Sequence, residues 1–534
     1  MFVWDDLRVA KGYRPVARDQ LMLLPPDMRE WLGAGHPVWL VIEVCRDHAD
    51  LGAAHRARRT GGRGAAGYDP AMLAALVVWA YAQRVTSSRR IEQLCGTDVA
   101  FRVICGGGGG PDHVTIARFR AGLGAAAADL FASVLVLCAR LGMGQVGTVA
   151  LDGTKVRANA SAQANRTRER LAELGRELAA VHAETDAAED ELFGPGVRGD
   201  ELPAELADPR TRRERIAAAL AELEAERRAA GQERDERAAQ ARKDLAARQD
   251  RVDKLFAAQR AKVADFEERN AAKITATGRG LREGRPVPPE EHVKIQRAAR
   301  RLASAKQRAA EPGRDQEGDQ PAARVRNLTD PHSRLMPVRG GGFIQGYNAQ
   351  VVATADGLIL ATELTCDTTD NQWFEPMLRK AENAAKVMAA HRRPGPGYHR
   401  SDRIGRILAD AGYLSEHNLT CHGPDRLIAV GKRRDLEKAA RAGTKAGRNP
   451  AGPATRAMTG RLTTPDGIAA YRQRGHIAET PHGHIKHNMG FRQLSVRGKP
   501  RATAEWALAA TVHNLFKAIT TGHLTSHSLA TLAS

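Results

Sequence analysis

Between a strand-like run at 146–151 and the next one at 343–353, the chain turns rich in Ala, Arg and Glu and poor in β-branched residues up to about position 310. Any sheet that uses both runs must therefore close across a long helical excursion, because Ala, Arg and Glu favour helix and a lone strand buries too little to be stable. Gly194-Pro195-Gly196, with Pro203, breaks the excursion once. Asp208-Pro209 restarts it with a cap and a proline, and 278–289 breaks it again, so at least three helices are expected. Leu245, Val252, Phe256, Val263 and Phe266 recur at heptad-like spacing, with Gln249 and Gln259 as interruptions. The expected outcome is a solvated face packed on its own neighbour rather than a coiled-coil arm. Pro312, Gly313 and Pro321 mark 311–322 as a linker.

The first strand-like run delivers a carboxylate. Residues 146–151 are short, apolar and partly β-branched, and Asp152 follows them with Gly153 behind it. A buried strand that ends on an acid points to chemistry rather than packing. A surface Asp-Gly hairpin is the competing reading, but 154–158 is basic and polar rather than a second strand.

A formal net charge of +19, with a pI near 10.0, is spread along all 534 residues and calls for an extended polyanion as partner. Membrane adhesion is disfavoured, since the best apolar run, 72–82, is far short of the roughly 20 residues that span a bilayer. Asp5 and Asp6 stand where a signal peptide would be basic. A cytoplasmic protein is expected. Cys45, Cys95, Cys105, Cys138, Cys366 and Cys421 form no Cys-x-x-Cys pair and read as reduced core thiols.

Residues 1–141 are patterned as helices. Asp69-Pro70 opens a core helix carrying Leu73, Leu76, Val77, Ala80 and Tyr81. A second helix, about 87–94, carries Arg89 and Arg90. A third begins near Thr115 and is expected to present Arg118 and Arg120 on its exposed side. Together they suit either a helix-turn-helix DNA reader or a plain scaffold.

After the excursion, 343–353 and 358–364 form a hairpin pattern around Asp356-Gly357, expected to extend the sheet begun at 146. A helix is expected at about 371–390. The run 406–409 is again short and apolar and ends on Asp410. Asp367 and Asp370 read as helix caps in a Thr-rich turn, and Asp402 precedes its strand instead of ending it. His482, His484 and His487 lack a fourth partner for zinc and read as basic surface. Gly443-Thr444-Lys445 lacks the glycine spacing of a phosphate-binding loop.

Tyr471, Arg474, Glu479 and Lys486, followed by His487-Asn488 and Gly490-Phe491, resemble the Tyr-Arg-Glu-Lys signature of bacterial insertion-sequence transposases of the Asp-Asp-Glu (DDE) family. Residues 149–155 around Asp152 and 409–413 around Asp410 are similar to that family's first two acidic motifs. Asn327-Leu328-Thr329-Asp330-Pro331 and Gly346-Tyr347-Asn348-Ala349-Gln350 also match its pattern. The likeness spans about 68–517. Arg474 stands five residues before Glu479 where the commonest signature has four, and Pro481 is expected to restart or kink the helix behind Glu479.

The resemblance implies an α/β fold: an RNase H-like catalytic domain with a mixed sheet, preceded by an all-helical N-terminal domain and interrupted by a long helical insertion. The corresponding divisions are 1–141, 142–161, 162–322, 323–520 and a C-terminal tail, 521–534. It places Asp152 on the first strand, Asp410 at the end of the fourth and Glu479 on a later helix, as catalytic and metal-holding acids. Lys155, Tyr471, Arg474, Lys486, Arg118 and Arg120 are the expected DNA contacts. Three neighbouring carboxylates need compensating cations, and oxygen ligands favour Mg²⁺ or Mn²⁺, expected as a pair. The implied partners are double-stranded DNA, as the element's terminal inverted repeats and target, and further copies of the chain assembled on it, in a bacterial cytoplasm. A nuclease that cuts without joining and a catalytically silent DNA-binding protein are the alternatives.

Overall fold

A computed structural model describes residues 32–56, 66–161, 164–181, 209–310, 325–338, 341–392, 402–431 and 452–533, with Asp27 and Glu30. The Gly194-Pro195-Gly196 break, the 311–322 linker and Gly443-Thr444-Lys445 lie outside them. Two compact units result, one of Met1–Arg166 with Val325–Ser534 and one of Thr167–Arg324, so the N-terminal helices share a unit with the sheet.

Those helices are α1 (Pro37–Glu43), which runs into a π-turn at Val44–His48, α2 (Gly52–Arg56), α3 (Pro70–Ala82), α4 (Ser88–Thr97), α5 (Val99–Cys105), α6 (His113–Gly122) and α7 (Gly124–Arg140). The Asp69 carboxylate accepts from Ala71 N at 2.9 Å and Pro70 opens the first turn of α3, as a cap-then-proline start requires. Helix α3 is apolar on nearly every side because it is buried on nearly every side. Helix α5 has no counterpart in the sequence reading; Asp98 caps it and Gly106, at φ 75°, ends it.

One expectation is corrected here. Arg118 is exposed, but Arg120 is buried and donates to Glu505 and to the Tyr81 hydroxyl, each at 2.7 Å. Residues two apart on a helix point about 200° apart, so the pair cannot share an outer face.

The main sheet contains β1 (Thr148–Arg157), β4 (Arg334–Pro337), β5 (Phe343–Thr354), β6 (Ile359–Thr365), β7 (Arg406–Ala409) and β8 (Asp425–Ile428). Between β1 and β4 in the chain, β2 (Asn165–Thr167) and β3 (Val325–Asn327) form a separate two-stranded ribbon. Strand β1 lies at the centre: β5 runs antiparallel to it, with Asp152 opposite Val351, and β7 runs parallel, with Leu151 opposite Ala409. Strands β4 and β6 both pair with β5, and β8 extends the parallel half from β7. The β5–β6 hairpin turns at Asp356-Gly357, with Gly357 at φ 85°. Gly346 lets β1 and β5 approach, since a Cβ there would stand 2.2 Å from the Val156 carbonyl oxygen.

In the second unit, α8 (Arg168–Val181) and α10 (Val293–Ala310) pack on α9 (Pro209–Thr277), whose 69 residues extend about 100 Å. Gln249 and Gln259 sit within the seam instead of interrupting it. Gln249 Oε1 accepts from Lys306 Nζ on α10 at 3.0 Å, and Gln259 Nε2 donates to the Val287 carbonyl at 2.8 Å.

Back in the first unit, the turn Asn371–Trp373 leads into α11 (Phe374–His391), which packs on β5 and β6. Then come α12 (Glu416–Thr420), α13 (Pro453–Leu462), α14 (Pro465–Gly483), a π-turn at His484–Asn488, α15 (Lys499–Thr520) and α16 (Ser526–Ala533), which falls in the expected tail. The expected break at Pro481 does not occur. Helix α14 runs through it to Gly483 and passes directly into the π-turn. Among the described residues no single helix is long and apolar enough to cross a membrane.

Candidate active site

The register of β1 and β7 decides where the first two acids stand. Leu151 and Ala409 are parallel partners; Asp152 follows on β1, which runs on to Arg157 paired with β5 instead of ending at the acid as expected, and Asp410 follows the last residue of β7, so the two carboxylates emerge side by side. Asp410 then caps a tight turn, accepting from Gly412 N at 2.9 Å. Helix α14 is seated against both strands. Thr464 caps it, and a Cβ on Gly467 would collide with the Arg461 carbonyl, 1.9 Å away. The Tyr471 hydroxyl donates to the Ala409 carbonyl at 3.2 Å, fixing the helix at the mouth of β7.

One turn further on, Arg474 Nη2 donates to Asp152 Oδ1 at 2.9 Å and lies 3.6 Å from Asp410 Oδ2. The guanidinium thus bridges the two acids. Glu479, five residues later, stands exposed at the rim of a cleft of about 290 Å³ that it shares with Asp410, Tyr471 and Arg474.

Lys486 turns inward, donating to Thr154 Oγ1 at 2.5 Å and to the Lys155 carbonyl at 2.8 Å, so it ties the π-turn to β1. Lys155 Nζ donates to the Thr368 carbonyl at 3.1 Å and lies 3.8 Å from Asp370 Oδ1. Burial lowers both ammonium pKa values. Alternation along β1 puts Asp152 and Thr154 towards Arg474 and Lys486, and Gly153 and Lys155 on the opposite face, opposite Gln350 and Asn348 of β5.

Burial pushes the Asp152 carboxyl up to about 6 against the pull of the Arg474 guanidinium, and Asp410 and Asp370 add to the push. His482, whose Nε2 is 3.9 Å from Asp152 Oδ2, is held neutral, since burial brings it down to about 3. The three histidines diverge: His482 faces Asp152, His484 meets His513, and His487 accompanies Arg492.

The acids fit a hard cation in part. Asp152 and Asp410 already converge on one positive group, and the buried Asn348 Oδ1 has no hydrogen-bond partner among the described residues. Glu479 is not drawn in, and among the described residues no three His, Cys, Asp or Glu side chains are grouped to hold a metal.

The capping role expected of Asp370 is corrected by its geometry. It precedes the Asn371–Trp373 turn but makes no side-chain cap; Oδ1 instead accepts from Asn348 Nδ2 at 2.6 Å and Gln350 Nε2 at 2.7 Å. Two fully buried amides at alternate positions of an apolar strand were the available sequence signal, because such groups need a partner. Asp330 and Tyr347, from the two further motifs, meet at 2.8 Å and hold the start of β5 in place.

A family model described as a transposase domain (DUF772) matches residues 26–122, and one described as a transposase DDE domain matches residues 437–519. The first takes in Arg118 and Arg120; the second takes in Tyr471, Arg474, Glu479 and Lys486. Asp152 and Asp410 lie outside both. Comparison with curated proteins and with solved structures returned no match.

Proposed function

We propose that this chain, an insertion-sequence DDE transposase by the transposase domains it carries, binds the ends of its element and cuts and joins DNA there with Asp152, Asp410 and Glu479. The observation that carries this reading is the emergence of Asp152, midway along β1, beside Asp410, just past the end of the parallel strand β7, under the helix that bears Glu479. The strand order β6-β5-β1-β7-β8, antiparallel on one side of β1 and parallel on the other, supports the RNase H-like reading.

Asp152, Asp410 and Glu479 would hold Mg²⁺ or Mn²⁺. When bound, a pair of such ions activates the attacking oxygen and stabilises the leaving oxygen of an in-line displacement at phosphorus. The chain's own residues prepare this site. Asp152 and Asp410 supply the oxygens, Tyr471 seats the helix, and His482, neutral and buried, keeps water from the back of Asp152. Arg474 neutralises both acids; once a cation takes over that charge, its planar fork is free to meet a phosphate.

DNA is the polyanion that the +19 surplus calls for. Exposed Arg89, Arg90 and Arg118 on α4 and α6 are the base-reading candidates, and the protein acts as a homo-oligomer on paired ends in the bacterial cytoplasm. A plasmid excision assay with the matching ends tests the reading. Wild type is expected to yield joined products, and D152N, D410N and E479Q neither cuts nor joints while still binding DNA. Cuts without joints mean a nuclease, and neither from wild type means a silent DNA-binding protein.

A further inference from the structure

Asp370 is an acid beside the site to which the proposed reaction gives no part. Two buried amides hold its Oδ1, and that leaves Oδ2 directed elsewhere. Gly412 shows where. A Cβ on that glycine would stand 3.3 Å from Asp370 Oδ2 and 3.0 Å from Asp410 Oδ1, so the two carboxylates flank the same point. At Gly153 the same group crowds β1: a Cβ there would lie 2.6 Å from Asp370 Oδ1, 2.7 Å from Gln350 Nε2 and 3.2 Å from Asn348 Oδ1, so the glycine lets all three side chains approach the strand. A side chain at Gly412 would crowd both carboxylates.

The independent sign of a ligand is Asn348. It is fully buried, its amide nitrogen is engaged by Asp370, and its Oδ1 lies against Gly153 with no hydrogen-bond donor among the described residues. A buried acceptor left unmatched costs roughly 1–3 kcal/mol. Asp410 and Asp370 both remain partly accessible, at 31% and 23% side-chain exposure. Asp410 is also placed to serve both sides of β1, since its Oδ2 faces Arg474 and its Oδ1 lies towards Gly412.

We infer that Asp370 is a further cation ligand: it joins Asp410 in holding a divalent cation on the face of β1 opposite Arg474, on the side of the Asn348 amide. The inference rests on the proposed metal-dependent reading of Asp152 and Asp410, and adds a residue to it. Lys155, 3.8 Å from Asp370, balances part of the charge until the cation arrives. Carboxylate and amide oxygens with no sulfur select Mg²⁺ or Mn²⁺ over softer ions.

The test is Mn²⁺ binding by the full chain, read by electron paramagnetic resonance of the free ion, together with melting in EDTA and in Mn²⁺. D370N keeps an oxygen to accept from Asn348 and Gln350 while removing the charge at Oδ2. It is expected to weaken the binding of one Mn²⁺ about tenfold or more and to shrink the rise in melting temperature that Mn²⁺ produces. A purely structural Asp370 lowers melting equally with and without Mn²⁺ and leaves the affinity of the folded protein intact, and that result overturns the inference. If D370N fails to fold by circular dichroism, D370S replaces it under the same criteria. Wild-type affinity in D370N, with loss in D152N and D410N, removes Asp370 and leaves the catalytic reading standing. Absence of Mn²⁺ binding in wild type itself removes both.

Discussion

Asp152→Asn exchanges a buried acid for its near-isostere and allows the electrostatic cost of the site to be measured without DNA. In the folded protein burial lifts this carboxyl from an ordinary 3.8 to about 6, despite Arg474 at 2.9 Å. At about 1.4 kcal/mol per pH unit, keeping it ionised costs the folded state roughly 3 kcal/mol. Below pH 3.8 both folded and unfolded chains hold the proton, so nothing is lost. Between 3.8 and 6 the folded chain retains a proton that the unfolded chain has released, and stability falls as pH rises. Above 6 the loss is complete. D152N has no such proton, so urea denaturation in EDTA should show the variant gaining about 3 kcal/mol on wild type as pH rises from 3 to 7. Mn²⁺ at pH 7 should restore wild type and leave the variant nearly unchanged. A stability difference flat across that window, or one in which wild type gains with pH, would refute the reasoning and mean that the Arg474 pairing outweighs desolvation.

Other outcomes follow from the same geometry. R474Q should bind Mn²⁺ at least severalfold more tightly than wild type in a calorimetric titration, since the guanidinium competes for Asp152 and Asp410; unchanged affinity would mean that it does not block the site. R120M should lose about 3–5 kcal/mol in urea denaturation by leaving Glu505, 2% exposed, buried without its cation; a loss below 1 kcal/mol would show that the Tyr81 hydroxyl and the Ser495 amide, which donate to Glu505 at 2.7 and 2.8 Å, suffice. Gly346→Ala should cost on the order of 1–3 kcal/mol by forcing β1 and β5 apart, read as a lower melting temperature. For duplex DNA, the log affinity should fall with log salt at a slope of about −5 or steeper. Replacing Arg248, Arg251, Arg297 and Arg301, which line a cleft between α9 and α10, with Gln should make that slope shallower if the second unit touches phosphates.

The sequence by itself determined which segments carry acids and in what surroundings. Asp152 and Asp410 each follow a short apolar run and have a glycine one or two residues on, and Glu479 lies within a signature of Tyr, Arg and Lys, all of which are properties of one local segment. The helical excursion was legible for the same reason, since composition and periodicity report how a segment meets solvent on average. Only the tertiary structure decided which side chain meets which. That β1 and β7 pair in parallel, one step short of both acids, depends on a register across some 250 intervening residues that no local pattern encodes. Arg120 looked like an outer-face arginine until Glu505, far along the chain, proved to be its partner. Asp370 looked like a cap because its neighbours in sequence suit one, while its actual partners, Asn348 and Gln350, come from a strand across the core. Periodicity fixes a residue's side of its own element, but a hydrogen bond needs two atoms within about 3 Å, and that distance is set only when separate elements pack.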